Sequence, residues 1–347
     1  MIFKFMRTKK AGILLLISYI YFSPVFAQQR PQYTQYIFNN YIINPALTGI
    51  ENYTDVKLGY RNQWQGLEGA PKTSYISIHA PLGKNFINGD ATSVPESGGS
   101  NPMNRSFVQT YKASEPHHGI GFHAVTDEAG PLSSLYLNLT YAYHIGINEN
   151  TNLSFGVAGG ISKLRLDISK VKTDVEIDPA ISGEINNRLQ PDLGAGIWLY
   201  GPRYFAGISA QSLLGRTITF TNNNAPYYGK GREIPHLFFS AGYKIFLGED
   251  IAAIPSTMIK YVTPAPLTVD VNLKVAFQDK FWVGASYRKN DAVAAMLGFN
   301  ISSLFNVSYS YDYTTSNLNT VSNGSHEIVL GLLLNNRYKV TCPQKNW

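Results

Sequence analysis

A single cysteine, Cys342, stands near the end of the 347-residue chain. One thiol cannot make an internal disulfide, so an exported chain of this kind must rely on burial and hydrogen bonding. Cys342 reads as an ordinary terminal residue or as an isolated thiol open to an intermolecular partner. Charge is also scarce. Asp, Glu, Lys and Arg make up 15%, against about 25% in soluble domains. Beyond the first residues no stretch approaches about 18 consecutive apolar residues, which excludes a membrane-spanning helix. The formal net charge of +6 is modest, and no basic run interleaved with aromatics argues for nucleic acid. The G-x-S-x-G, H-E-x-x-H and C-x-x-C patterns are all missing. The expectation is therefore a non-enzymatic protein without cofactor or metal.

What is present begins with a leader. Lys4, Arg7, Lys9 and Lys10 form a basic stretch before an apolar core, Ala11 to Phe22. That core is shorter than the roughly 20 residues a membrane span needs. Ser23 and Pro24 break it, and Val25-Phe26-Ala27 offers small residues where a signal peptidase reads. Residues 1–27 are thus expected to be a signal peptide, cleaved after Ala27. No Cys sits at the cleavage point, where Gln28 stands, so this is not a lipoprotein leader.

Aromatics reach 13%, with 23 Tyr, and they fall into strict alternation. In "LTVDVNLKVAFQ", Leu267, Val269, Val271, Leu273, Val275 and Phe277 alternate with Thr268, Asp270, Asn272, Lys274, Ala276 and Gln278. "LYLNLTYAYHIGI" from Leu135 and "FNVSYSYDY" from Phe305 repeat the pattern. Period two is the mark of a strand with one apolar and one polar face, and such runs match a tilted strand crossing a bilayer in about 9–11 residues. Counting such segments gives about fourteen strands, between Val56–Trp64 and His326–Leu334. The fold class this implies is all-β: a transmembrane, antiparallel, up-and-down β-barrel in the outer membrane, with an even strand number.

Connections test the idea separately. "NENTN", "GPR", "GED", "QDK" and "SSL" are tight and share one phase. The long connections, Ile168–Leu189, Leu214–Pro235 and Thr314–Ser325, share the other. Short periplasmic turns and long outer loops are the barrel pattern. The insertion spanning residues 84–117 breaks it. Its Gly, Ser, Asn and Pro content reads as a flexible periplasmic extension, with a missed pair of strands as the other reading. The organisation expected is a signal peptide at 1–27, a periplasmic or plug segment at 28–50, a barrel at 51–338 and a tail at 339–347.

Candidate chemistry is thin. "GIGFHA" from Gly119 mimics a dinucleotide fingerprint, but it lies within a strand and no helix follows. His118 and His123 are five apart, so in a strand they point to opposite faces and do not share a metal. Asp270, Lys274, Arg288 and Asp312 fall on polar strand faces. They read as lumen-lining residues, either an ion-paired interior or a selectivity lining.

The run "PQYTQYIFNNYIINPALTG" from Pro31 fits neither helix nor strand. With "YRNQWQGLEGAPKTSYISIHAPLG", "HGIGFHAVTDEAGP", "LTYAYHI", "GSHEIVLG" and the ending "CPQKNW", it resembles the PorP/SprF family of outer-membrane proteins of type IX secretion and gliding. The motifs span the chain in order; the insertion around Phe86–Pro116 departs from the family pattern. The resemblance implies a barrel that works with periplasmic and outer-membrane machine components and with secreted surface proteins as cargo, rather than an enzyme. The barrel alone also permits a passive channel for small solutes. Tyr33, Gln35, Tyr36, Asn44 and Pro45 suit either a lumen plug or docking on a partner, and a plain linker is the third reading. Both Tyr33–Pro45 and the insertion are expected on the periplasmic side.

Overall fold

Alternating sequences of this length cannot leave a sheet edge open in hydrocarbon, so the strands must close on themselves. In the computed structural model, which describes residues 30–83, 111–171, 189–218, 231–278 and 280–336, they do. Fourteen antiparallel strands form the wall. They are β1 (Thr54–Asn62), β2 (Lys72–Leu82), β3 (His117–Ala129), β4 (Leu132–Asn148), β5 (Thr151–Leu166), β6 (Gln190–Tyr200) and β7 (Tyr204–Gln211). The second half comprises β8 (His236–Tyr243), β9 (Ile251–Tyr261), β10 (Thr268–Phe277), β11 (Phe281–Arg288), β12 (Ala292–Asn300), β13 (Phe305–Thr314) and β14 (Ser325–Leu334). Each pairs with its neighbour in sequence, and β1 closes on β14 with Thr54 opposite Leu334 and Asn62 opposite His326.

The alternation sorts the side chains between two solvents. In β10, Asp270, Asn272 and Lys274 are buried inside, whereas Val271 and Leu273 are exposed on the outer face. Leu139, Val157, Ile208 and Val283 join them in an apolar band. Outward-facing Tyr60, Tyr261, Tyr287 and Tyr313 lie towards one rim, and Phe155, Tyr243, Phe281 and Phe299 towards the other. Two aromatic belts flanking an apolar band are what a membrane-embedded barrel requires. No helix among the described residues is long and apolar enough to cross a membrane.

The connections segregate by end. Gly201–Arg203 and the residues between β4 and β5, and between β10 and β11, turn tightly at one rim. The long connections between β5 and β6 and between β7 and β8 join strand ends at the other rim. The second of these carries a small hairpin, Arg216–Ile218 with Gly231–Glu233, that alternation over three residues was too short to signal. β4 and β5 run to 17 and 16 residues, longer than their alternation suggested. β8 stops at Tyr243: Lys244 turns inward and its N–H donates to Arg203 O at 2.6 Å, after which Ile245–Phe246 resumes pairing with β9. The leader, residues 84–110 of the insertion, and the tail with Cys342 lie outside the described residues.

Candidate functional site: a lumen occupied by the amino-terminal segment

Residues 30–53 run through the barrel. Every residue from Thr34 to Tyr53 except Asn40 is buried. The segment is a chain of three single 3₁₀ turns, Gln35–Ile37, Asn40–Ile42 and Pro45–Leu47. Short 3₁₀ turns satisfy their own carbonyls while letting the path bend between them. The last is set by sequence: Asn44 is extended, as a residue before proline must be, and its Oδ1 accepts the Ala46 N–H at 2.9 Å. Pro45 supplies the first helical position, where no N–H is needed.

The upper end of the segment lies at the long-loop rim. The Arg30 guanidinium pairs with Asp192 and donates to Gln211 Oε1 at 3.1 Å and Ser212 Oγ at 2.9 Å. One turn further on, the Thr34 and Gln35 N–H groups both donate to Glu327 Oε2, at 2.8 and 3.2 Å. Thr34 Oγ1 donates to Asp312 at 2.6 Å. Arg61 binds both carboxylates, Asp312 at 2.7 Å and Glu327 at 3.2 Å. Arg288 continues the network to Asp270 and Asp291, at 3.3 and 3.2 Å. Apart from Asp291, at the network's edge, these charges are almost wholly removed from water, so each depends on the others and on the plug backbone for its partners.

Midway, apolar plug residues Tyr36, Ile37, Phe38, Ile42 and Ile43 pack with Tyr75, Val125, Phe238, Met258 and Trp282 of the wall. Asn272 bonds the Tyr36 hydroxyl, and Tyr41 bonds Thr140 at 2.7 Å. The lower end presses directly on wall backbone. A Cβ on Gly156 would sit 2.3 Å from Ala46 N, and one on Gly119 would sit 1.9 Å from Thr48 O. Only glycine admits that approach. There Ser154 Oγ donates to Ala46 O at 2.7 Å, and His144 Nε2 bonds Thr48 O at 2.8 Å. Glu51, Asp55 and His79 gather near the turn-side rim with ligand atoms within 4.8 Å of one another. Lys57 bonds Asp55, supplying there the positive charge a cation would bring.

Asp270, Lys274, Arg288 and Asp312 all face the interior, and Asp270, Arg288 and Asp312 join one ion-pair network. Gln35, Tyr36, Asn44 and Pro45 are buried in the lumen, and Tyr33 is half-buried with its ring edge-on to Tyr75 at 5.3 Å. One expectation is corrected. Tyr33–Pro45 does not project on the periplasmic side but descends through the lumen from the long-loop rim, because its polar groups find their partners on the inner wall. The insertion returns at the turn-side rim, where Asn152 Nδ2 donates to the Tyr111 hydroxyl at 2.9 Å. His118 faces outward and His123 inward. Sequence reasoning missed Arg61, Glu327, Thr34 and the inward glycines. All the wall residues among them lie on polar strand faces, and a glycine recurring there was the available signal.

A family model described as "Type IX secretion system membrane protein PorP/SprF" matches residues 25–332. No curated protein matches the sequence. Among solved structures, the chain is similar to the CymD monoaromatic hydrocarbon channel, at 10% identity and a TM-score of 0.47, over 86% of this chain and 91% of that one. It is also similar to the Ralstonia pickettii toluene transporter TbuX, at 8% identity and a TM-score of 0.46, covering 85% and 93%. A third is Acinetobacter baumannii outer membrane protein Omp33, at 7% identity and a TM-score of 0.46, covering 83% and 100%.

Proposed function

The chain belongs to the PorP/SprF family of type IX secretion system membrane proteins, and from that premise we propose that it is a plugged outer-membrane barrel supporting export or surface anchoring of specific proteins. The observation that carries this reading is the occupied lumen. Residues 30–53 pass from the long-loop rim to the short-turn rim, hydrogen-bonded or packed at every level. A solute channel needs a wet path lined by accessible polar groups. Here the inward side chains that would line it, such as Arg61, Asn272, His144 and Glu327, are sealed against the segment.

With the lumen closed, the working surfaces are the two rims. By the orientation rule for such barrels, the long loops face outside and the short turns face the periplasm. The 84–116 connection leaves from the periplasmic rim, which suits contact with periplasmic machine components; the outer loops suit the exported protein. Deleting the gene should leave at least one surface protein trapped in the periplasm or missing from the surface, with small-solute uptake unchanged. Normal surface display with slowed solute entry would favour the passive-channel reading instead.

A further inference from the structure

Among the described residues, the wall strands turn four charged side chains outward, and all four lie in one sector at the long-loop end. They are Lys72 on β2, Glu128 on β3, and Lys163 and Arg165 on β5. Around the rest of this rim the outer face carries tyrosines such as Tyr261, Tyr287 and Tyr313. Cross-strand pairing sets Asn62, Lys72, Glu128, Ser133 and Arg165 in one row across β1 to β5. Charges facing hydrocarbon are costly, so such a row belongs at the lipid headgroups. The register agrees: Asn62 stands two residues beyond Tyr60 on the same outward face, about 7 Å further along the strand.

Beyond this row the connections build a hollow of about 320 Å³, within the roughly 300–1,000 Å³ of small-molecule sites. Its floor is Asn62, Lys72 and Glu128, and its roof is residues 65–70 of the β1–β2 connection. The roof is braced on both sides. Gln65 N–H donates to Gly324 O at 2.8 Å, Asn323 N–H to Gln65 O at 2.7 Å, and Gly130 N–H to Gly69 O at 2.8 Å. Asp167 N–H donates to Pro131 O at 2.7 Å, which holds the turn Ile168–Lys170 alongside, with Lys170 in the lining. Lys72 and Glu128 are register partners, yet the side chain of neither makes a hydrogen bond or ion pair among the described residues. Lys170 meets Asp167 only at 3.9 Å.

Two ammonium groups suit a phosphate. A carboxylate, amide oxygens and backbone carbonyls accept from sugar hydroxyls. A bare anion has no use for Glu128, and a neutral sugar has no use for two lysines. Down the same outward face run Leu58, Tyr60 and Ile76, all exposed, a surface for acyl chains. We propose that the hollow binds the head of a phosphorylated glycolipid of the outer leaflet. Its phosphate lies between Lys72 and Lys170, its hydroxyls on Glu128 and Asn62, and its chains against Leu58, Tyr60 and Ile76. Lys163 and Arg165 extend the cationic face beside it.

The test is native mass spectrometry of the full mature protein in a neutral maltoside detergent. The probes are monophosphorylated lipid A, the same lipid without phosphate, phosphatidylglycerol and soluble glucosamine 1-phosphate. Monophosphorylated lipid A should bind with one copy per barrel and outcompete the other three. The double variant Lys72→Met, Lys170→Met should bind it about tenfold or more weakly, from the loss of charge-assisted hydrogen bonds. Glu128→Gln should narrow its preference over phosphatidylglycerol. Lys289→Met, at an exposed lysine elsewhere on this rim, should change nothing. Heat-modifiable migration on gels reports that each variant still folds. Unchanged affinity in the folded double variant, or an equal loss in Lys289→Met, would overturn the proposal. So would equal retention of phosphatidylglycerol, the mark of a general anionic-lipid patch. Displacement by glucosamine 1-phosphate at equal concentration would overturn it too, assigning the hollow to a soluble sugar phosphate.

Discussion

Val271 and Asn272 are adjacent in β10, yet one meets lipid and the other the plug: Val271 is 53% exposed and Asn272 is 2%. Val271→Arg should destabilise the barrel by about 2–4 kcal/mol near the membrane midplane. Folding into lipid vesicles across a urea series would measure it. Asn272→Arg loses the bond to Tyr36 instead, so its effect should appear in plug seating rather than insertion. Gly156 and Gly159 make a second contrast, three residues apart in β5. Gly156 faces the plug backbone, whereas a Cβ on Gly159 meets nothing within 4 Å. Gly156→Val should unseat residues 45–47 and raise conductance in a planar bilayer, while Gly159→Val should behave as wild type. Equal conductance in the two variants would refute the close contact at Gly156.

At the scale of elements, the first plug turn is tied down by a carboxylate from β14 and a guanidinium from β1. Glu327 accepts two plug N–H groups and an Arg61 bond together. Removing a partner from a buried charged network typically costs about 3–5 kcal/mol. Glu327→Ala should therefore destabilise the protein by about that amount, read from chemical denaturation with plug and wall reported separately. The loss should appear first as faster proteolysis or hydrogen exchange of residues 30–40. The barrel ladder, which closes independently through β1 and β14, should exchange more slowly. Simultaneous release of both would show that plug and wall form one cooperative unit.

For the whole molecule, the prediction concerns permeability. Purified full-length protein should show little porin-like conductance in planar bilayers, and removal of Tyr33–Pro45 should open it while insertion persists. A wild-type protein that conducts freely would remove the basis for the closed-barrel reading. The same deletion in cells should impair surface display of the cargo if the plugged state is needed at the rims.

Strand identity, number and face were legible in the chain because a membrane barrel writes its two solvents into alternate residues. Val269, Val271 and Leu273 could only be lipid-facing once Asp270, Asn272 and Lys274 were assigned inward. The phase of short and long connections was legible for the same reason, since turn chemistry is local. The path of Pro31–Tyr53 was not. Its three 3₁₀ turns carry no period of their own, and its hydrogen-bond partners, Glu327, Asn272, Thr140 and Ser154, come from strands scattered across the sequence. The joining of Arg61 with Asp312 and Glu327, roughly 250 or more positions away, was likewise decided only when β1 met β14 and the wall closed. The sequence determined which residues face inward; closure determined which of them meet, and that the amino-terminal segment lies among them.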